Sequence, residues 1–223
     1  MIRLINLTKT FRSSGVETCV ADNINLTLPD GMTVALLGRN GAGKSSLLRM
    51  IAGTMQPSSG QVIIDGSVSW PVGFAGSLHG DLTGAQNVRF VSRVYGVDSD
   101  QLIDFVHEFS ELGTRLWLPV RSYSQGMRAR LGFALSMGIG FDTYLIDEVT
   151  AVGDAAFRAK CEAALSERLE GRSAVVVSHS LGFLKRVCDV GVVIEQGRAA
   201  WFDNLGDAIQ AHRRMMEKNQ PVS

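Results

Sequence analysis

The segment spanning residues 38–45 has the clearest chemistry in this 223-residue chain. It reads GRNGAGKS, which matches the pattern GxxxxGK followed by Ser or Thr, and it lies between the apolar run TVALL and a helical stretch. Glycines let successive backbone N–H groups curl around phosphates. The charge of Lys44 suits the β- and γ-phosphate oxygens, and the hydroxyl of Ser45 suits Mg²⁺. The expected nucleotide contacts are Gly38, Arg39, Asn40, Gly41, Ala42, Gly43, Lys44, Ser45 and Ser46.

A phosphate-binding loop does not by itself identify what is done with the triphosphate. Kinases, GTPases, motors and transport ATPases all carry one, so the rest of the chain has to decide between them.

A second candidate site, which is acidic, follows the phosphate loop by about a hundred residues. There the predicted strand Tyr144–Ile146 is followed by Asp147 and Glu148. A carboxylate at a strand end can hold Mg²⁺, usually through water, which is the role predicted for Asp147. Glu148 is predicted to orient or deprotonate the attacking water. Taken alone, the pair also fits a solvated acidic strand end.

Strand and helix patterns indicate an α/β protein that contains a helical insertion. Continuous apolar runs such as TVALL and AVVV favour strands buried on both faces, as in a mostly parallel sheet covered by helices. The predicted strands are Ile2–Leu7, Thr33–Leu37, Val62–Ile64, Tyr144–Ile146, Ala174–Val177 and Val190–Ile194. The predicted helices are Lys44–Ile51, Thr83–Val94, Ser99–Leu112, Ser124–Met137, Ala155–Leu169, Leu181–Cys188 and Asn204–Glu217.

Composition excludes several classes of protein. The 22 Lys and Arg balance 22 Asp and Glu, and the pI near 6.9 argues against a dedicated nucleic-acid binder or a polybasic membrane-surface protein. The longest apolar stretch, Leu131–Phe141, is far shorter than the ~20 residues of a membrane-spanning helix. Three widely spaced cysteines without a CxxC pair favour a reduced, cytosolic chain.

A second anion-binding segment precedes the acidic strand by about twenty residues. Ser124 and Gly126 lie at the start of a predicted helix within SYSQGMRARLGFALSM, where a hydroxyl and a backbone amide at a helix N-terminus can bind a phosphate. The segment resembles a variant of the LSGGQ signature of ATP-binding cassette (ABC) proteins. The resemblance implies a head-to-tail homodimer in which each signature closes on the phosphate loop of the other subunit.

Further elements of the ABC family follow in the expected order. The segment VTAVGD after Glu148 resembles the family's D-loop, with Asp154 as its aspartate, and His179 after AVVVS resembles the switch histidine that senses the γ-phosphate. Phe11 lies where the family places an aromatic side chain that stacks on adenine. By the resemblance, the catalytic residues are Glu148, His179 and Lys44. Without it, a histidine after a buried strand and an aromatic residue near the N-terminus are more often ordinary core or surface residues.

One family element is absent from the sequence. The family places a glutamine before the helical insertion, where it contacts Mg²⁺ and couples to the membrane partner. Its place is occupied near Phe74, within the run WPVGFAGSLHGDLTG, so no glutamine role carries over to this chain.

The resemblance covers residues 1 to about 215 and implies the P-loop NTPase fold of ABC ATPases. This fold has a mostly parallel core sheet, an N-terminal antiparallel β region and a helical subdomain. We expect a single domain over residues 1–218, with the helical subdomain inserted at about 83–137 and a disordered tail at 219–223.

Three segments, SWPVG with LTG, SQGMRAR and DEVTAVGD, resemble the ATPase subunits of bacterial capsular polysaccharide exporters. Related O-antigen exporters often append a carbohydrate-binding domain, and the end of this chain at Ser223 favours the capsule type. The implied cofactors are ATP and Mg²⁺. The implied partners are a second copy of the chain, polytopic transmembrane permease subunits and periplasmic or outer-membrane export proteins, but no nucleic acid.

The implied location is the cytoplasmic face of the bacterial inner membrane. Two alternatives remain, a soluble ABC ATPase of DNA repair or translation and a regulatory module that binds ATP without hydrolysing it.

Overall fold

The computed structural model describes residues 1–13, 15–73, 76, 78–147 and 154–218. The described chain divides into two compact units. The first combines residues 1–69, 142–148 and 169–223, and the second combines residues 70–141 and 149–168. The predicted bounds of the helical subdomain, 83–137, fall within the second unit. The single domain over 1–218 stays a prediction.

The first unit is built around a six-stranded sheet in the order β5-β6-β7-β3-β8-β9. Its strands are β3 (Thr33–Gly38), β5 (Val68–Pro71), β6 (Thr143–Asp147), β7 (Ser173–Val177), β8 (Val190–Glu195) and β9 (Arg198–Phe202). Strands β6, β7, β3 and β8 pair in parallel, and β9 is antiparallel to β8. The first four residues of β6 are buried, with only the terminal Asp147 partly exposed, and all five residues of β7 are buried. This burial confirms the prediction of strands covered on both faces.

A second sheet in the same unit has the order β2-β1-β4 and is antiparallel. Its strands are β1 (Ile2–Ser13), β2 (Val16–Leu28) and β4 (Ser59–Ile64). This sheet confirms the predicted N-terminal antiparallel region. Helices α1 (Lys44–Ile51), α6 (Leu181–Val187) and α7 (Leu205–Lys218) complete the first unit.

The strand prediction was incomplete. It stopped β1 at Leu7 and missed β2, β5 and β9. All three missed strands lie at the edge of a sheet, and β2 and β9 carry several exposed residues. A continuous apolar run therefore does not mark them.

The second unit is helical, as predicted, apart from the end of β5. It contains α2 (Gly84–Tyr95), α3 (Ser99–Ser110), α4 (Gln125–Gly138) and most of α5 (Ala155–Leu169), with 3₁₀ turns at Gly113–Trp117 and Val120–Ser122. A capping box is present at the start of α2. Thr83 Oγ1 accepts from the Gln86 backbone N–H at 3.1 Å, and Gln86 Oε1 accepts from the Thr83 N–H at 2.9 Å. In the part of the chain that the structure describes, none of the helices is long and apolar enough to cross a membrane.

Candidate nucleotide-binding site

The phosphate loop joins β3 to α1 at the carboxyl edge of the six-stranded sheet. Gly41 and Gly43 have φ angles of 81° and 99°, in a region that strongly favours glycine. A Cβ added at Gly43 would lie 2.5 Å from the backbone oxygen of Val20 in β2. Glycine at position 43 is therefore required both by the backbone angle and by the close approach of β2.

Lys44 begins α1 and turns its side chain back toward the loop. Its ammonium nitrogen donates to the carbonyl oxygens of Gly38 at 2.7 Å and Arg39 at 2.8 Å. Ser45 and Ser46 follow in the first turn of α1, whose N-terminal backbone N–H groups favour an anion. The loop, the ammonium group and the helix terminus thus present positive or hydrogen-bond-donating groups in one place.

The strand register brings Asp147 and His179 to the same edge of the sheet. Asp147 ends β6 and pairs with Val177 at the end of the parallel strand β7, two residues before His179. Both side chains line a cavity of about 340 Å³ together with residues of the phosphate loop. The cavity is lined by Val20, Asn40, Gly41, Gly43, Lys44, Ser45, Ser46, Asp147, Val177 and His179. Residues far apart in the sequence therefore line one cavity.

Val20 is a site residue that the sequence analysis missed, because it did not identify β2. The alternation of apolar and polar residues from Ile24 to Leu28 is the signal that could have found this strand. Val20 lies just before that alternation, where the exposed residues of β2 give no comparable pattern.

Phe11 lies on β1 directly opposite Thr18 of β2. Thr18 lies two residues before Val20 of the phosphate cavity, and the pairing of β1 with β2 shifts register between Lys9 and Thr10, opposite Val20. Phe11 therefore pairs with the part of β2 that leads into the phosphate cavity. Its ring is 40% exposed, and the ammonium of Lys9 lies 5.2 Å from the ring centroid. An exposed aromatic ring in this position is available to stack on a base.

The predicted base Glu148 and the D-loop residues 149–153 lie outside the described residues, as does Phe74 at the place of the missing glutamine. Asp154 is described and belongs to the second unit. Its Oδ1 accepts from the Phe157 backbone N–H at 2.9 Å, and its Oδ2 pairs with Arg130 at 2.9 Å. The hydrogen bond from Phe157, supported by the charge of Arg130, holds the pKa of the Asp154 carboxyl below its ordinary value. Asp154 therefore caps α5 as an anion.

The signature residues lie at the start of α4 in the second unit. Ser124 is the N-cap of α4, and its hydroxyl oxygen accepts from the Met127 backbone N–H at 3.2 Å. Ser124 is exposed, and a Cβ added at Gly126 would meet only the Ser124 hydroxyl oxygen, at 3.9 Å. Both residues are thus accessible from outside the unit, as a phosphate contact from another subunit requires.

The signature departs from the common pattern at Tyr123, whose ring is buried at the base of the segment. The Tyr123 hydroxyl donates to the Arg115 carbonyl at 2.6 Å, and both Nε and Nη2 of Arg128 donate to the Tyr123 carbonyl. A Cβ at Gly84 would lie 2.6 Å from the Tyr123 hydroxyl oxygen. The phenol group is accommodated because position 84 has no side chain.

The fold and the cavity define a nucleotide-binding ATPase domain, and the sequence pattern of ABC transporters matches residues 21–151. The chain belongs to the ABC transporter family, which confirms the resemblance. Polysialic acid transport ATP-binding protein KpsT of Escherichia coli is 46% identical over 216 residues, covering 96% of this chain and 96% of the relative. ATP-binding protein BexA of Haemophilus influenzae is 47% identical over 210 residues, covering 94% and 97%.

A third relative, capsule polysaccharide export ATP-binding protein CtrD of Neisseria meningitidis serogroup B, is 42% identical over 215 residues, covering 96% of this chain and 100% of the relative. Among solved structures, a dimeric ATP-binding cassette in a post-hydrolysis state with ADP and Pi matches with a TM-score of 0.76 at 22% identity, covering 92% of this chain and 99% of that chain. The structural match confirms the predicted ABC ATPase fold.

Proposed function

We propose that this chain is the ATP-binding and ATP-hydrolysing subunit of a transporter that exports capsular polysaccharide across the bacterial inner membrane. The observation that carries the proposal is identity of 42–47% to KpsT, BexA and CtrD over nearly the whole of each chain. The capsule-export class is supported further by the three segments that resemble such subunits in sequence.

ATP is bound in the cavity at the carboxyl edge of the sheet. The backbone N–H groups of the phosphate loop and the Lys44 ammonium hold the β- and γ-phosphates, and Phe11 stacks on the adenine. His179 lies on the same cavity and senses the γ-phosphate. The proximity of these groups within one unit supports this assignment.

The Ser45 hydroxyl and the Asp147 carboxylate are the groups that would hold Mg²⁺. Both residues line the cavity, and a hydroxyl and a carboxylate are oxygen ligands of the kind this ion prefers. Across the described ranges, no group of three or more His, Cys, Asp or Glu side chains is positioned to hold a metal ion. Mg²⁺ usually takes one or two protein ligands and completes its shell with phosphates and water. When bound, the ion neutralises the charge that develops on the β- and γ-phosphate oxygens.

Glu148 acts as the base for hydrolysis. It accepts a proton from the water that attacks the γ-phosphorus, while the bond to the β–γ bridging oxygen breaks and ADP leaves. Its place next to Asp147 in the sequence puts it beside the cation-binding residue.

Hydrolysis requires two copies of the chain. Ser124 and Gly126 at the start of α4 contact the γ-phosphate bound to the other copy, so ATP binding draws the copies together and hydrolysis releases them. The exposure of the signature and the fold match to dimeric cassettes support this arrangement.

A polytopic permease subunit receives the resulting motion and provides the path for the polysaccharide. The chain therefore works at the cytoplasmic face of the inner membrane, and periplasmic or outer-membrane export proteins continue the path. A soluble ABC ATPase of DNA repair or translation is not favoured, because relatives that match nearly the whole chain are transport and export ATP-binding proteins.

Export is tested by deleting the gene in the bacterium that encodes it. We expect polysaccharide to disappear from the cell surface and to accumulate inside the cell, and the wild-type gene to restore export. Surface polysaccharide that persists at the wild-type level in the deletion strain would contradict the assignment to capsule export.

The metal assignment predicts a specific defect for Asp147→Asn. Removing the negative charge should raise the Mg²⁺ concentration needed for half-maximal ATPase activity by about tenfold or more, since carboxylate charge dominates the attraction for Mg²⁺. A Mg²⁺ titration of ATPase activity at fixed ATP measures this shift. Asp104→Asn, at an exposed position on α3, is the matched control and should titrate like the wild type. If both variants need the same Mg²⁺ concentration for half-maximal activity, Asp147 is not a ligand of the metal.

A further inference from the structure

A group of four charged side chains joins three helices of the second unit, outside the phosphate cavity. This group, the Arg130 network, consists of Glu111, Arg130, Asp154 and Lys160. The predicted nucleotide chemistry uses Asp154 alone among them, which leaves the role of the other three to be explained.

Arg130 of α4 bridges two carboxylates. Its Nη1 lies 3.0 Å from Glu111 Oε2, and its Nη2 lies 2.9 Å from Asp154 Oδ2. The guanidinium carbon lies 4.1 Å from the centroid of the Phe157 ring, and the Arg130 side chain is only 19% exposed. Stacking and two ion pairs together leave this side chain little freedom.

Glu111 and Lys160 extend the same network. Glu111 is the C-cap of α3, and its other oxygen, Oε1, lies 2.8 Å from Lys160 Nζ on α5. Lys160 also donates to the Phe109 carbonyl at 3.0 Å, and its ammonium lies 4.8 Å from the Phe109 ring centroid. Ion pairs thereby connect the end of α3 to both α4 and α5.

The two carboxylate oxygens of Asp154 bind different partners. Oδ1 caps α5 through the Phe157 N–H, and Oδ2 binds Arg130, so Asp154 is fixed to both α5 and α4. Arg130 lies six residues after Ser124, on the helix that the signature begins. Asp154 lies six residues after Glu148 along the chain. One ion pair therefore links the signature helix to the end of the segment that starts at the predicted base.

We propose that Arg130 is a positioning residue for ATP hydrolysis, which acts by holding Asp154 against the signature helix. This inference rests on the proposed function. Ser124 begins α4, Arg130 lies on the same helix, and the Arg130–Asp154 ion pair fixes that helix to the residue six positions after Glu148 in the sequence. Ion pairs with partly exposed partners such as these add little to folding stability, which is consistent with a role in position.

Arginine is specifically suited to this role. Its planar guanidinium presents separate N–H groups to two carboxylates at once, whereas a lysine ammonium is a single point charge on a flexible stem. Arg130→Lys keeps the positive charge and loses the planar guanidinium that binds two carboxylates at once. Its turnover therefore shows whether the geometry of the guanidinium matters beyond its charge.

The test compares variants of the full-length chain by turnover and by affinity. We expect Arg130→Gln to lower kcat by about tenfold or more, since small misplacement of a catalytic group costs up to ~10²-fold. The dissociation constant for a fluorescent ATP analogue should stay within about threefold of the wild-type value, because the phosphate cavity is intact. Asp154→Asn should reproduce this pattern, since asparagine keeps the helix cap and loses the ion pair. It also provides an independent test should Arg130→Gln not fold.

The double variant and two further variants decide the mechanism. If the residues act as one unit, the double variant should lose no more kcat than the more affected single variant. Glu111→Gln leaves the Arg130–Asp154 pair in place and should lose much less turnover. Additive losses, a loss of kcat in Glu111→Gln equal to that in Arg130→Gln, or full turnover in Arg130→Lys would each overturn the proposal. A wild-type chain that neither binds the analogue nor hydrolyses ATP would instead contradict the proposed function.

Discussion

Replacing Glu148 with glutamine is expected to lower the ATPase rate at saturating ATP by at least about a hundredfold, the usual contribution of a positioned general base. Glutamine has nearly the same shape and cannot take the proton of the attacking water. ATP binding should persist, since the phosphate loop, Lys44 and Phe11 are unchanged. In the proposed function hydrolysis separates the two copies, so the variant should also accumulate as an ATP-bound dimer. Phosphate release and size-exclusion chromatography with Mg²⁺ and ATP measure the two effects.

A matched control for this experiment is Glu167→Gln, at an exposed position on α5. It makes the same chemical change away from the predicted base and should retain wild-type turnover. Steady-state hydrolysis near the wild-type rate in Glu148→Gln would contradict the assignment of Glu148 as the catalytic base.

Replacing Gly43 with alanine is expected to weaken ATP binding by at least about tenfold. Alanine at a φ of 99° costs about 1–2 kcal/mol, which alone corresponds to roughly a tenfold change in an equilibrium constant. The new Cβ would also lie 2.5 Å from the Val20 backbone oxygen, so the loop or β2 must move. Either movement displaces the N–H groups that bind the phosphates. Isothermal titration with a non-hydrolysable ATP analogue measures the loss.

Gly53→Ala separates backbone strain from damage to the site. Gly53 lies after α1, has a φ of 70°, and a Cβ added there would meet nothing within 4 Å. This control should lower the thermal midpoint while ATP affinity stays at the wild-type value. Equal affinity in Gly43→Ala and Gly53→Ala would show that the close approach of β2 has no part in nucleotide binding.

The core of the site was predictable because its chemistry resides in short contiguous segments. The loop from Gly38 to Ser45 carries its glycines, lysine and hydroxyl in a spacing that backbone geometry imposes, and strand edges mark Asp147 and His179. Val20 was not predictable in this way. Its backbone lies close to Gly43, and no side-chain chemistry distinguishes it from other residues of an exposed strand.

The contacts of Asp154 were also not predictable from the sequence. The family resemblance identified it as the D-loop aspartate, but nothing in the sequence indicated that one of its oxygens caps α5 while the other binds Arg130. Arg130 itself is one of two arginines in SYSQGMRARLGF, and the other, Arg128, binds the Tyr123 carbonyl instead. Helical periodicity places the two arginines on different sides of α4, and only the packing of α3 and α5 decides which one meets carboxylates.

The sequence by itself determined the class of this protein and the order of its buried parallel strands and helices along the chain, and it predicted the groups that contact phosphate and metal. These properties follow from local backbone preferences and from chemistry within a few neighbouring residues. The tertiary structure alone decided which strands lie side by side, that β2 approaches Gly43, and that Arg130 joins Asp154 to Glu111. These contacts link residues 19 or more positions apart, and their geometry depends on strand register and helix packing, which no local pattern specifies.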